Sequence, residues 1–196
     1  MWGAVKHALS NLTNPNGRDA RQTFWYWVLA VFVVRYAAGM VVSFPMTMKI
    51  MNMTMQTFAS GKPEDVIAMQ SRMMTMMADD LSRIVWIGVA IGVVSMLLVV
   101  CSTVRRLHDS NLSGWLVLVP GTLYGIALAQ APRQIEASVA MLKSMKPGAT
   151  PDMSQMMQSQ SGLGLLSWVA IGLVIWIGVR DSDDEPNRFG DAPVRF

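Results

Sequence analysis

A short polar segment holds the side chains of this sequence that are best suited to chemistry: Arg105, Arg106, His108 and Asp109. Two guanidinium groups can grip the oxygens of a phosphate or an anionic lipid headgroup, and an imidazole can exchange a proton near neutral pH. The alternative is structural: the arginines orient the chain in a membrane, Asp109 or Asn111 caps the following helix, and His108 bonds the turn backbone. The sequence has no nucleophile elbow and no phosphate-binding glycine loop, so we predict no catalytic residue and no cofactor.

Arg35 is a second candidate, because it stands alone within a long apolar segment. An arginine near the middle of a bilayer costs at least about 2.5 kcal/mol. Its partners could be hydroxyl groups such as that of Tyr124, carbonyl groups freed beside Pro120, or the anion of a ligand. The alternative is that the side chain extends along a tilted helix to the membrane surface. We therefore treat Arg35 and Tyr124 as a candidate polar site inside the membrane.

Methionine accounts for 18 of the 196 residues, and most of these lie in two segments between apolar runs. Thioether groups bind Cu(I), a soft metal ion. Methionine is also a flexible apolar filler for amphipathic helices, and no His or Cys accompanies it in these two segments. We therefore favour packing and predict no metal site. The weak candidates for a metal are Met46, Met48, Met51, Met53, Met55, Met69, Met73, Met76 and Met77.

Four apolar runs must position these residues. The chain is 52% hydrophobic and 15% charged, whereas globular chains average about 25% charged residues. A helix of about 20 apolar residues spans the roughly 30 Å hydrocarbon core of a bilayer. We predict an all-α integral membrane protein with a single membrane domain over residues 1–196. Its four predicted spans are approximately Phe24–Phe44, Ile84–Val104, Leu112–Ala131 and Leu163–Val179.

The distribution of basic residues predicts the orientation. Eight Lys and Arg residues lie in the N-terminal arm, the 105–111 turn and the C-terminal tail, and seven lie in two longer loops at 45–83 and 132–162. The first group crowds the span ends, and cytoplasmic segments carry an excess of Lys and Arg. We therefore predict that both termini are cytoplasmic and that the Met-rich loops are outside. The spacing of Val66, Met69 and Met73 after a helix start at Pro63 predicts amphipathic helices in these loops.

Local patterns add detail to the span entries. Asp19 and Gln22 have the spacing of a capping box, which predicts that Asp19 caps the first span. Pro120 predicts a kink in the third span. Asp19 precedes Trp25 by six residues, as Asp109 precedes Trp115. One interpretation is a duplicated two-helix hairpin, with units at 18–105 and 106–180.

Small residues four positions apart predict close helix contacts. Gly88 and Gly92 form such a pair in the second span, and Gly121 and Gly125 form another in the third. Because such faces let membrane helices approach each other, a homo-oligomer is one expected partner. The lipid bilayer and its anionic phospholipid headgroups are the others. The net charge is only +3 and no Lys/Arg-rich block exists, which argues against a nucleic-acid partner.

Three segments together resemble a known family. They are NGRDARQTFWYW at 16–27, RRLHDSNLSGW at 105–115 and PNRFGDAP at 186–193. They are similar to the domain-of-unknown-function 805 family of small bacterial inner-membrane proteins, but the resemblance does not cover the Met-rich loops. It implies a multi-pass protein of the bacterial inner membrane and implies no reaction. The matching residues are Gly17, Arg18, Arg21, Phe24, Trp25, Arg105, Arg106, Leu107, His108, Asp109, Ser113, Gly114, Trp115, Asn187, Arg188, Phe189, Gly190 and Pro193.

The leading interpretation of function is a non-enzymatic structural or interaction protein of the membrane. An alternative is a transporter or sensor of a small solute or ion, including a soft metal, that uses Arg35 or the Met-rich loops. A further alternative is an enzyme that acts on lipid headgroups at the RRLHD turn. The lack of a catalytic constellation in the sequence favours the first interpretation, since a fold alone does not give a function.

Overall fold

The structure is a computed structural model that describes residues 1–144 and 153–193. Within these residues the chain is helical, and the only β pairing is an isolated bridge between Asn187 and Gly190. The all-α prediction is therefore confirmed. The helices are α1 (Trp2–Ser10), α2 (Arg21–Ser60), α3 (Pro63–Asp109), α4 (Leu118–Ser144) and α5 (Met153–Val179), with a 3-10 turn at Gly114–Val117 before α4.

The long helices have the length and surface of membrane spans. Large apolar side chains point outward along them: Val34 is 66% exposed and Val41 is 74% exposed. Helices that are apolar on the outside suit a lipid environment, and the structure therefore defines a helical membrane protein with several spans. Among the described residues, three stretches are long and apolar enough to cross a membrane, and a fourth is apolar but shorter. The three are Arg21–Ser60, Asp80–Asp109 and Gly114–Ala137, and the shorter one is Gly164–Val179.

The four long helices run up and down, and the segments before α2 and after α5 meet at one end of the bundle. The backbone N–H of Asp19, just before α2, donates to the carbonyl of Arg105 on α3 at 3.2 Å. After α5, the N–H of Asp183 donates to the carbonyl of Asp109 at 2.8 Å. The segments before α2 and after α5 are thereby fixed to the same end of α3.

Close packing at this end depends on a glycine before α4. A Cβ added to Gly114 would lie 2.8 Å from a methyl carbon of Val104 and 2.9 Å from Nε2 of His108. Real Cβ atoms do not approach other atoms so closely, so a larger residue would push the start of α4 away from α3. The turn between α3 and α4 therefore requires glycine at position 114, the central residue of the SGW motif.

A small apolar cluster joins α1 and α2. Ala8, Trp27 and Val31 are buried together, and the indole Nε1 of Trp27 donates to the carbonyl of Leu98 on α3 at 3.0 Å. A buried tryptophan normally finds such a partner for its N–H. The contact ties the N-terminal helix to both helices of the first hairpin.

The predicted close contact of small residues occurs at one of the four glycines. A Cβ at Gly92 would lie 2.8 Å from a methyl carbon of Leu128, so α3 and α4 approach each other closely there. Gly88, Gly121 and Gly125 have no described atom within 4 Å of the Cβ position. Their faces stay open, and the homo-oligomer stays a prediction.

The first outer loop, predicted over 45–83 as separate helices, is continuous with the spans. α2 runs through Pro45 to Ser60, and Gly61 ends it in the left-handed conformation at φ 63°. The predicted helix start at Pro63 is confirmed, because α3 begins there. At 1.5 Å per residue, α2 and α3 are about 60 and about 70 Å long, roughly twice the hydrocarbon thickness. The Met-rich segment therefore forms a helical hairpin that extends the two spans.

The second outer loop, predicted over 132–162, is also largely helical. α4 continues through Pro132 to Ser144, and α5 begins at Met153. The Lys-Pro break at 146–152 lies outside the described residues.

The capping and turn predictions at the span entries are wrong. Ala20, and not Asp19, is the N-cap residue of α2, and α2 has no side-chain cap hydrogen bond. The segment from Arg105 to Asp109 is the last turn of α3 and not a loop. Neither Asp109 nor Asn111 caps the following helix, because the 3-10 turn begins after Ser113 without a side-chain cap. The chain reverses instead through Asn111, at φ 54°.

Pro120 does not lie in the interior of a helix, where a kink was expected, and the kink itself stays a prediction. Pro120 lies in the first turn of α4, two residues after Leu118. A proline is tolerated in the first helical turn, because N–H groups there have no partner within the helix.

Candidate functional site

Five charged side chains are buried together where the two chain ends meet α3. They are Arg18, Asp19, Arg105, Arg106 and Asp109, and none of these residues is more than 7% exposed. Charged residues are almost never buried to this degree unless they are paired. We call these five residues the polar clasp.

The carboxylate of Asp19 binds α3. Its Oδ1 accepts a hydrogen bond from Nε of Arg105 at 2.9 Å, and its Oδ2 accepts the hydroxyl of Ser102 at 2.7 Å. Nε2 of His7 on α1 lies 3.3 Å from the same Oδ1. Ser102 and Arg105 are three residues apart, so both lie on the same face of α3. Asp19 therefore fixes the entry of α2 against the end of α3.

The carboxylate of Asp109 binds two arginines from different segments. Its Oδ1 accepts both Nε and Nη2 of Arg18, at 3.2 and 3.0 Å. Its Oδ2 accepts Nη1 of Arg106, one turn earlier on α3. Arg18 pairs with Asp109, whereas its neighbour Asp19 pairs with Arg105, one turn earlier on α3. The segment before α2 is therefore joined to the end of α3 by two ion pairs of opposite polarity, which we call crossed ion pairs.

The remaining guanidinium donors bind backbone carbonyls at the chain ends. In the described residues no buried side-chain nitrogen or oxygen lacks a partner. Because arginine has five donors in a planar fork, one side chain can hold several segments at once. Arg105 binds the carbonyls of Asn11 and Asn14 at 2.8 and 2.6 Å, Arg18 binds those of Glu185 at 2.8 Å and Asp183, and Arg106 binds those of Arg180 and Gly178, the latter at 3.4 Å.

The C-terminal tail closes over the clasp through His108. The rings of His108 and Phe189 stack with centroids 3.9 Å apart and planes within 5°. The amide Nδ2 of Asn187 donates to the carbonyl of His108 at 3.0 Å, and Nδ1 of His108 lies 3.3 Å from the carbonyl oxygen of Gly17. Arg188 donates to the carbonyl of Asn111 at 3.1 Å. Three sequence motifs that are far apart in the chain thus meet around one imidazole.

The clasp carries three guanidinium groups and two carboxylates, so one positive charge is in excess. It lies at the C-terminal ends of α3 and α5, where the helix dipole is negative and the last carbonyls lack partners within the helix. Arg106 binds such carbonyls at the end of α5, including that of Gly178. A net positive clasp is therefore stable at this end of the bundle. The arrangement is suited to holding the helices together.

The structure brings the four predicted site residues into one place, but it directs their charges inward. The side chains of Arg105 and Arg106 are 3% and 0% exposed, and their donors bind acceptors of the chain itself. His108 is half-buried against the tail, and Asp109 is fully buried. Binding of a phosphate or an anionic lipid headgroup to this segment stays a prediction.

Sequence reasoning missed three members of the site. The sequence patterns place Arg18 in a family motif and predict a helix cap at Asp19, and they predict no role for Ser102. The available signal was the occurrence of Asp19 and Asp109 at equivalent distances before Trp25 and Trp115. That similarity indicates a repeat, and in the structure it also marks the two carboxylates that pair with arginines.

The second candidate site lies between the four long helices, in a cavity that opens to the outside at Leu29 and Phe32, which are 49% and 60% exposed. Nη1 of Arg35 donates to the phenol oxygen of Tyr124 at 2.6 Å, and the guanidinium carbon is 5.8 Å from the ring centroid. The predicted contact between these residues is therefore present. Both line a cavity of about 560 Å³ between α2, α3, α4 and α5, and Pro120 lines it too. A ligand at this site stays a prediction.

The two helices of the Met-rich hairpin carry half-buried side chains. Among the described side chains these include positions 46, 48, 50, 53, 54 and 57 on α2 and positions 69, 73, 76 and 80 on α3. Nζ of Lys49 binds Oδ2 of Asp80 at 2.9 Å between the two helices. These positions favour packing, which stays the prediction for the Met-rich segments, and Cu(I) binding stays the weaker alternative. Met46, Met48, Met53, Met69, Met73 and Met76 are half-buried, Met51 and Met55 are exposed, and the side chain of Met77 is outside the description.

The bundle, its apolar outer surface and the buried clasp define a small multi-span membrane protein whose helix ends are joined by crossed ion pairs. The chain belongs to the family described as "Protein of unknown function (DUF805)", which it matches over residues 12–191. The resemblance drawn from the three motifs is thereby confirmed, and the matched range extends across both Met-rich segments. No curated protein and no solved structure matches the chain.

Proposed function

We propose that this protein is a non-enzymatic integral membrane protein with a structural or interaction role, in which the polar clasp fixes the helices relative to one another. The supporting observation is the internal pairing of Arg105 with Asp19 and of Arg106 with Asp109, all with side chains 3% exposed or less. A group that binds substrate needs a path for the substrate and donors that are free to bind it. Here the donors of Arg105 and Arg106 form charge-assisted hydrogen bonds within the chain.

We further propose four spans, with both termini on the cytoplasmic side of a bacterial inner membrane. Both chain ends contact the same end of α3, so an even number of crossings is needed. α5 has 27 residues and is about 40 Å long at 1.5 Å per residue, which suffices for the fourth span. The basic clasp end belongs in the cytoplasm by the positive-inside rule.

We also propose a duplicated two-helix hairpin, with units at 18–105 and 106–180. The support is that Asp19 and Asp109 are both buried beside the start of a hairpin. Each carboxylate accepts an arginine from another segment of the chain. A parallel repeat of this kind places equivalent ends on the same side of the membrane.

Cysteine labelling tests the orientation. In a Cys101→Ser background, we expect an impermeant thiol reagent applied to intact cells to label Ser60→Cys, at the tip of the hairpin, and to leave Ser110→Cys unlabelled. Ser110 lies beside the clasp and becomes the positive control after the cells are permeabilised. The opposite labelling pattern would invert the topology and place the Met-rich hairpin in the cytoplasm.

Exchange of Arg106 tests the structural role against binding of a lipid headgroup. We expect Arg106→Gln to lower the melting temperature in detergent, because Asp109 loses a buried partner. The folded fraction should keep as many anionic phospholipids, counted by native mass spectrometry, as the control Arg21→Gln. Arg21 is a suitable control because its ion pair with Asp181 is exposed. Loss of phospholipid at an unchanged melting temperature would contradict the proposal.

A direct assay tests the enzyme alternative. The protein is incubated in vesicles of phosphatidylglycerol and cardiolipin, and phosphorus NMR is used to detect released headgroups. We expect no release by the wild-type protein. Release that stops in His108→Gln, while the variant still folds, would favour the lipid-active enzyme.

A transporter or sensor is the second candidate function. The observation that favours it is the cavity at Arg35 and Tyr124, a polar pair inside an otherwise apolar bundle. Ionisable residues within spans mark ligand or ion pathways in many membrane proteins.

A further inference from the structure

The cavity between the four long helices is the main feature that the clasp does not involve. Its volume is about 560 Å³, within the range of about 300–1,000 Å³ for small-molecule sites. All four long helices contribute to its walls, and most of the lining side chains are apolar, as at Val31, Val99 and Val174. Its polar side chains are Arg35, Ser95, Thr103 and Tyr124, together with the indole of Trp25, whose Nε1 donates to the carbonyl of Gly178 at 3.2 Å.

Arg35 and Tyr124 are the polar pair that can recognise a ligand. The hydroxyls of Ser95 and Thr103 donate to carbonyls one turn earlier on α3, at 2.7 and 2.9 Å. Arg35 donates to Tyr124 through one nitrogen, and its guanidinium has five N–H donors in all. Several donors of this group therefore remain for a ligand that enters the cavity.

The positive charge of Arg35 favours an anionic ligand. None of the four apolar runs contains an Asp or a Glu, and within the described residues Arg35 takes part in no ion pair. A cation in a low-dielectric interior is costly unless a counter-charge accompanies it. A ligand with one negative charge would supply the missing complement.

The position of Arg35 favours a ligand that comes from the membrane. It is eleven residues after Phe24, which is about 16 Å along the helix and close to the middle of a roughly 30 Å hydrocarbon core. A smaller hollow of about 360 Å³ on α2 also includes Arg35, beside the exposed rings of Phe32 and Tyr36. The guanidinium therefore lies between the cavity and the lipid-facing surface.

We propose that this cavity binds a fatty acid, with its aliphatic chain between the helices and its carboxylate on Arg35 and Tyr124. The planar guanidinium fork matches a carboxylate in geometry and in charge, and a neighbouring cation keeps the carboxylate ionised. A phospholipid is a poorer occupant, because its phosphate belongs at the membrane surface and not at mid-depth. The inference extends beyond the structural role of the clasp and does not depend on it.

Photolabelling in a bilayer tests the proposal. The full-length protein is reconstituted in nanodiscs of phosphatidylcholine and labelled with a palmitate analogue that carries a diazirine on its chain. We expect saturable labelling, with the label on peptides of α3, α4 or α5 that line the cavity. Unlabelled palmitate should compete, whereas hexadecanol, which has the same chain without the charge, should compete at least about tenfold more weakly. Phosphatidylglycerol should not compete at equal concentration.

Two variants and a matched control assign the carboxylate site. Arg35→Gln should weaken palmitate competition about tenfold or more, and Tyr124→Phe should weaken it about fivefold. Arg133→Gln removes an exposed arginine of α4 that does not line the cavity, so it should leave competition unchanged. If Arg35→Gln does not fold, Tyr124→Phe and the comparison of palmitate with hexadecanol still decide the question.

Three results would overturn the proposal. Equal competition by palmitate and hexadecanol would mean that the cavity binds aliphatic chains without recognising the carboxylate. Competition by phosphatidylglycerol as strong as that by palmitate would assign the site to a phospholipid. Non-saturable label confined to the outward face of α2 would mean that the fatty acid stays in the surrounding lipid.

Discussion

The buried ion pair between Asp19 and Arg105 gives the most direct test of the clasp. Asp19→Asn keeps the shape of the side chain and removes its charge, so Arg105 is left as a buried cation without that counter-charge. Breaking a buried ion pair on one side costs about 3–5 kcal/mol. Arg105 keeps the carbonyls of Asn11 and Asn14, which places the expected loss of unfolding free energy at the lower end, about 3 kcal/mol. For a chain of this size that loss lowers the melting temperature by roughly 6–12 °C.

Cys101 provides the assay. It is the single cysteine, and it is half-buried on α3 close to the clasp, so a thiol-reactive fluorophore reports the opening of this region on heating in detergent. Asp181→Asn is the matched control, because it makes the same chemical change in the exposed pair with Arg21. Exposed pairs contribute about 0–1 kcal/mol, so the control should melt close to wild type.

A double-mutant cycle gives the result that would refute this reasoning. Arg105→Gln alone leaves Asp19 as a buried anion, whereas the double variant removes both charges. We therefore expect the double variant to be more stable than the sum of the single effects predicts, by at least about 1 kcal/mol. Additivity to within about 0.5 kcal/mol, or a melting temperature of Asp19→Asn equal to that of Asp181→Asn, would show that the pair does not hold the helices together.

Three further changes have defined outcomes. Arg35→Leu should destabilise the protein by about 1–3 kcal/mol, because the half-buried phenol of Tyr124 loses its hydrogen-bond donor, and a melting temperature at or above wild type would contradict this. Met73→Leu with Met76→Leu should cost less than about 1.5 kcal/mol, and tight Cu(I) binding that the double variant loses would refute packing as their sole role. Phe189→Ala should cost about 0.5–1.5 kcal/mol through loss of the stack on His108 and should speed proteolysis of the tail, so an unchanged cleavage rate would count against the closed tail.

The helices themselves could be predicted from the sequence, because apolar runs of the right length have few other solutions in a membrane. Their ends were harder to predict. Hydropathy shows where a helix leaves the lipid, and it does not show where the backbone stops being helical. The signals for the true ends were Gly61, which ends α2 at positive φ, and Pro63, which starts α3. Between Phe44 and Gly61 the only residue that disfavours a helix is Pro45, and α2 continues through it.

The role of Asp19 could not be predicted from local spacing because a stronger interaction overrides it. A helix cap contributes about 1 kcal/mol, whereas removal of one partner from a buried ion pair costs about 3–5 kcal/mol. The carboxylate therefore turns to Arg105, 86 residues away in the chain, and leaves the free N–H groups of α2 without its help. Only the tertiary arrangement brings that arginine within reach.

The crossed pairing also orders the assembly of the bundle. Asp19 and Arg105 can pair once the α2–α3 hairpin has inserted, since both belong to its two ends. Arg106 also requires α5 to be in place, because its remaining donors bind carbonyls at the end of that helix. The guanidinium of Arg18 likewise binds carbonyls of the tail, including that of Glu185. Because a chain is made from its N-terminus, these donors can reach their carbonyl partners only after the last helix and the tail have been made. The clasp therefore closes fully only on a completed bundle.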